Sequence, residues 1–155
     1  MNTFTAPEID YVAIAPILIV AIAALLSVLT ETFLPRSVRR TVQILLTFLS
    51  LIGAFVVLVI NHSIRTITGG GAVAIDGPAI VLMGTILILS LLSAFLVAER
   101  SLDSLGDAFA PSASALPGSV DEREFSARGY FQTEIWTLFL FAVLGMLAFV
   151  VANDL

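Results

Sequence analysis

Two carboxylates stand inside long apolar stretches of this chain, Glu31 and Glu134. An ionised side chain at the centre of a membrane span costs roughly 3 kcal/mol, so such a group faces protein, water or a partner. At 100° per residue, Ala13, Ala24 and Ser27 fall on the face of Glu31, and Gly145, Ala148 and Ala152 on the face of Glu134. Small residues mark helix–helix contact in membranes. Both glutamates are therefore expected to point into protein, each about one turn from a helix end. Two chemistries suit them. One is proton exchange at the mouth of a proton path. The other is an ion pair, of Glu31 with Arg36, Arg39 or Arg40, and of Glu134 with Arg128.

Other polar residues invite plainer readings. The single histidine, His62, follows Asn61 at the end of an apolar run and reads as an interfacial residue. Ser90 and Ser93, one turn apart, suit local bonds or a bridge between helices. Asp76 and Asp154 sit where caps belong. There is no Gly-rich phosphate loop with its lysine, no nucleophile elbow and no metal-ligand cluster in the sequence. The absence of cysteine excludes disulfides, thiolate catalysis and cysteine-ligated clusters within this chain.

The elements that must position the carboxylates are four apolar runs: Tyr11–Leu34, Thr41–Ile60, Ala79–Ala98 and Phe131–Ala152. Each is long enough to cross a hydrocarbon core of roughly 30 Å at 1.5 Å per helical residue. Lipid satisfies no backbone hydrogen bonds, so the fold class is all-α, a polytopic bundle of transmembrane helices at about 11–34, 41–60, 79–98 and 131–152. Hydrophobic residues make up 59% of the chain and charged residues 12%, about half the globular share. The net charge of -5 gives no footprint for nucleic acid. The partner is a lipid bilayer.

Local signals place the boundaries. Pro35 ends the first helix. Pro16 is expected in its second turn, with a slight kink. Gly69-Gly70-Gly71 breaks the chain, and Asp76-Gly77-Pro78 starts the third helix with Asp76 near the N-cap. The leading segment carries Glu8 and Asp10 and no cation, unlike a signal peptide, so the first helix is read as retained. Arg36, Arg39 and Arg40 follow the first helix, and Arg100, Arg123 and Arg128 follow the third, whereas the second connection holds only Arg65. The positive-inside rule places both Arg-rich loops in the cytoplasm and both termini outside. The chain thus reads as one transmembrane region, 1–155, with residues 99–129 as a Ser-, Ala- and Pro-rich, mobile cytoplasmic loop.

The fourth run carries a resemblance. Tyr130-Phe131-Gln132-Thr133-Glu134-Ile135-Trp136, continuing through Leu144-Gly145-Met146 to Ala152-Asn153-Asp154-Leu155, resembles the fourth helix of the subunit N family of bacterial NADH–quinone oxidoreductase, respiratory complex I. Glu31-Thr32-Phe33-Leu34-Pro35 is similar to that family's acid-x-Phe-Leu-Pro helix end, and Asp76-Gly77 to its third-helix start. Pro78 departs from it, standing where the family usually has an aromatic residue, and the 99–128 loop is longer than in many relatives.

The resemblance implies the N-terminal part of an antiporter-like, proton-translocating subunit of the bacterial plasma membrane, with other membrane-arm subunits as partners. It implies that NADH oxidation and quinone reduction drive proton transport in the complex, which uses NAD, FMN, iron–sulfur clusters and quinone, while this chain binds none of them. The family's principal proton carriers are a glutamate on a fifth helix and lysines on later ones. This chain has no lysine and ends before a fifth helix. The expected role of the segment is scaffold and subunit contact. The alternatives from the residues alone are a subunit of a related cation/proton antiporter or membrane-bound hydrogenase, or a free-standing four-helix structural protein.

Overall fold

The computed structural model describes residues 8–98 and 133–153. The loop at 99–129, Asp154 and the Arg128 partner expected for Glu134 lie outside the described residues. Helix α1 runs Ala15–Phe33, α2 Arg36–Ile60, α3 Gly77–Ala98 and α4 Glu134–Val151. All four are long and apolar enough to cross a membrane. They form a ring in which α1 touches α2 and α4, and α3 touches α2 and α4.

One stripe of each helix fills the centre. Val20, Ala23 and Ala24 come from α1, Leu51, Ala54 and Leu58 from α2, Met83, Leu87 and Ala94 from α3, and Leu140, Val143 and Leu147 from α4. The opposite faces are apolar as well: Leu25, Leu49, Val81, Leu96 and Phe149 are all exposed. In water such a surface would aggregate. In a bilayer burial of apolar surface alone gains little, and the inward stripe is distinguished by fit and small residues rather than by hydrophobicity.

The corner between α1 and α2 is tighter than expected. Leu34 and Pro35 are both extended, with φ/ψ of -85°/143° and -65°/146°, and α2 starts at once at Arg36. The expected start at residue 41 is corrected. Pro35 cannot continue α1, but its fixed φ suits the residue before a helix, and its carbonyl accepts from the N–H groups of Val38 and Arg39, both at 3.2 Å. Arginine is a good helix former, so Arg36, Arg39 and Arg40 make the first turns of α2 and not a loop. Pro16 is also corrected: it lies in the first turn of α1, where its missing N–H goes unused. Upstream, Asp10 Oδ1 accepts from the backbone N–H of Val12 and Ala13, each at 3.1 Å, and turns the chain into the helix.

The all-α expectation omits a small hairpin. Strand β1 (Thr66–Thr68) pairs antiparallel with β2 (Val73–Ile75), in the register Thr66↔Ile75, Ile67↔Ala74 and Thr68↔Val73. Gly69, Gly70 and Gly71 turn between them with φ of 65°, 70° and 96°, values that side-chain-bearing residues rarely adopt. Thr68 Oγ1 receives the N–H of Asp10 at 2.8 Å and donates to the Glu8 carbonyl at 3.1 Å, so the segment before α1 is stitched to the hairpin. Asp76 then caps α3 as expected, its Oδ1 accepting the Ala79 N–H at 2.8 Å. Asp76→Ala should cost about 1 kcal/mol. Unfolding of the purified protein in mixed detergent micelles measures this, and an unchanged midpoint would show that the cap contributes nothing.

Candidate functional site

Glu31 lies near the end of α1 and Arg39 in the second turn of α2, so the Leu34–Pro35 corner folds one back onto the other. Arg39 Nη1 donates to Glu31 Oε2 at 3.0 Å, with side chains 21% and 16% exposed respectively. The remaining guanidinium edge caps α1: Nε and Nη2 both donate to the Leu34 carbonyl, at 3.3 and 2.8 Å. One arginine therefore neutralises a carboxylate and satisfies a helix-terminal carbonyl together. Arg39 is thus seen paired with Glu31, one of the three arginines expected there.

Above this pair, one turn deeper in the bundle, Ser27 of α1 and Gln43 of α2 are fully buried. Ser27 donates its hydroxyl proton to Gln43 Oε1 at 2.6 Å. Gln43 Nε2 donates to the Ser27 carbonyl at 2.9 Å and to Glu31 Oε1 at 3.2 Å. The two flanking acceptors fix which way the amide faces. Thr137 of α4 stands with its hydroxyl 2.6 Å from that of Ser27. The Ser27 proton is already committed to Gln43, so Thr137 is the donor of that pair. Gln43 Nε2 also lies 3.4 Å from Thr137 Oγ1. The Ser27 carbonyl takes a further bond from the Thr30 hydroxyl at 2.8 Å. Three helices thus meet in one polar knot, joined to the Glu31–Arg39 pair at its edge.

The centre of the knot is a carboxamide, and the carboxylate at its edge is paired with a guanidinium. Such an arrangement orients helices. The expectation that Ala13, Ala24 and Ser27 share a buried face with Glu31 is met: those three are buried and Glu31 is half-buried.

Glu134 is a correction. It is the first residue of α4, not one turn inside it, and it is exposed together with Gly145 and Ala148. The stripe that α4 buries is Trp136, Leu140, Val143, Leu147 and Val151, which lies about 200° around the helix from Glu134. The indole of Trp136, 2% exposed, is buried on the side of the helix away from Glu134. A carboxylate at a helix N-terminus is favoured by the backbone dipole, a structural reason for its place. The other polar candidates divide. Ser90 is buried and Ser93 exposed. His62 is exposed at the end of α2, its Nδ1 2.9 Å from the Val59 carbonyl, as an interfacial residue would be.

Comparison with known proteins adds similarities over the whole chain. No family model matches the chain. It is 44% identical over 155 residues to NADH-quinone oxidoreductase subunit N of Salinispora arenicola, covering 100% of this chain and 30% of that protein. It is 46% identical over 151 residues to the Parafrankia sp. subunit N, covering 97% and 29%. Against subunit N of Rhodococcus opacus the identity is 42% over 172 residues, covering 99% and 32%. The chain is related to a part of subunit N. The resemblance drawn from helix four extends along the whole sequence, and the chain spans about 30% of the length of these curated relatives.

Gln43, Thr137 and Thr47 were not singled out from sequence. Their signal was there: Arg39, Gln43 and Thr47 recur every four residues along α2, and Ser27 and Glu31 every four along α1. Thr47 is fully buried and its hydroxyl has no hydrogen-bond partner among the described residues. Opposite outcomes follow for two neighbours on one helix face. Gln43→Ala takes the acceptor from the buried Ser27 hydroxyl proton and a donor from Glu31, and should destabilise by about 1–3 kcal/mol. Thr47→Val removes an unpaired polar group at constant shape and should stabilise by about 1 kcal/mol. Unfolding midpoints of the two variants in the same micelles read both signs.

Proposed function

We propose that this chain is the N-terminal part of an antiporter-like membrane subunit of a bacterial NADH–quinone oxidoreductase. In that reading it is a subunit of the oxidoreductase, and the complex couples NADH oxidation and quinone reduction to proton transport across the plasma membrane. Other subunits of the membrane arm are its partners, and the NAD, FMN, iron–sulfur and quinone sites belong to the rest of the complex. The observation that carries the reading is similarity to subunit N over all of this chain. The one carboxylate in contact with the polar knot is paired with Arg39. This segment serves as scaffold, and the Ser27–Gln43–Thr137 knot sets the packing of α4 against α1 and α2.

A chimera tests the whole. This chain, replacing the matching segment of a relative's subunit N, should restore assembly and NADH-driven proton uptake in membrane vesicles. A chimera that inserts and assembles but supports no coupled activity would overturn the reading. Within such a functional subunit, Glu31→Gln should lower the amount of assembled complex and leave the rate per complex unchanged. Glu134→Gln should leave both unchanged. Normal assembly with a tenfold slower rate per complex, a barrier change of about 1.4 kcal/mol, would instead place either carboxylate on a proton path.

The arginine bias supports an orientation with residues 99–129 in the cytoplasm and both ends of the chain outside. Single cysteines at Ser63 and Ser114 report on it. Ser63→Cys should react with an impermeant thiol reagent added to intact cells and Ser114→Cys should not; the reverse pattern contradicts the orientation.

A further inference from the structure

Helix α4 is held by polar contacts at both ends. Near one end, Thr137 meets the Ser27 hydroxyl at 2.6 Å and Gln43 Nε2 at 3.4 Å. Beyond the other, the Asn153 backbone N–H donates to the Ala72 carbonyl at 3.0 Å and its side-chain Nδ2 donates to the Gly71 carbonyl at 2.8 Å. Val73 of β2 bridges Ala152 in antiparallel fashion. The chain leaving α4 therefore lies against the hairpin edge. Gly71 offers its carbonyl from a backbone with φ of 96°.

Between these clasps the buried side chains of α4 are apolar: Leu140, Val143, Leu147 and Val151. Helices in lipid gain no hydrophobic drive by packing on one another. Such a stripe tolerates small slides and rotations that the clasps do not. A slip of one residue turns the helix by about 100° and moves it about 1.5 Å, enough to separate both clasps. The clasps differ in surroundings. Ser27 and Gln43 are fully buried, so no water competes for their bonds. Asn153 and Ala72 are exposed, and water competes there for every donor and acceptor.

We infer that α4 pivots: it stays docked through Thr137 on Ser27–Gln43, and its hairpin end swings when Asn153 leaves the Gly71 and Ala72 carbonyls. This goes beyond the scaffold role and stands on the two clasps alone. Neither the relatives nor a proton path enters it.

Nitroxide pairs in the full-length protein, reconstituted in lipid bilayers, read the two ends separately. Val59→Cys with Phe149→Cys reports the hairpin end, and Leu29→Cys with Leu138→Cys the corner end; all four positions are exposed. Asn153→Ala should widen the distance distribution of the first pair and leave the second unchanged. Thr137→Val, which removes only the hydroxyl, should shift the second. Asn153→Asp keeps the size and the backbone N–H but loses the amide donor, and it should act as Asn153→Ala does, so the reading survives if one of these variants folds poorly. A first-pair distribution that neither Asn153 variant changes, or widening of equal size at both ends, overturns the pivot.

Discussion

The carboxamide of Gln43 sits where three helices would otherwise have only apolar surface in common. In water, burial itself would hold the bundle together. In lipid, apolar faces gain little by packing on one another, so burial alone does not choose one arrangement over another. The bonds among Ser27, Gln43 and Thr137 choose. They work because nothing else at that depth can replace them. A hydroxyl or amide that loses its partner there finds no water, and the cost of the broken state is what enforces the made one.

The Glu31–Arg39 pair follows from the same constraint. The carboxylate abuts the knot through Gln43 Nε2, and the guanidinium closes both the charge and the open carbonyl at Leu34. Truncating either partner leaves more than a lost salt bridge, since an orphaned charge at the edge of hydrocarbon is worse than no charge.

The helices were legible because length and unbroken apolar character suffice to announce a span. Their ends were less so. Pro35 was a clear stop for α1, but proline also suits the residue before a helix, and the arginines after it are helix formers; α2 therefore began five residues before the expected Thr41. The hairpin was hidden by its size, three residues to a strand around three glycines. The rotation of α4 went the other way from expectation. Gly145 and Ala148 suggested a contact face, yet they are exposed and Trp136 is buried on the side of the helix away from Glu134. The knot was invisible for a different reason. Ser27 and Thr137 are 110 positions apart, and Ser27 stood out only as a small residue on the Glu31 face. Only their juxtaposition makes a site.

The two-residue corner at Leu34–Pro35 has a consequence for how the chain enters a bilayer. Glu31 and Arg39 are eight positions apart, and the corner brings them to 3.0 Å. No distant part of the protein is needed to make that contact. Helices α1 and α2 can therefore form their charge pair as a local hairpin, before α3 or α4 has been synthesised. Two ions that would each resist transfer into hydrocarbon then partition as one neutral dipolar unit, with the α1 terminus already capped. The hairpin so inserted displays Ser27 and Gln43 side by side, a prepared polar seat in an apolar wall, and Thr137 is the side chain that arrives to occupy it.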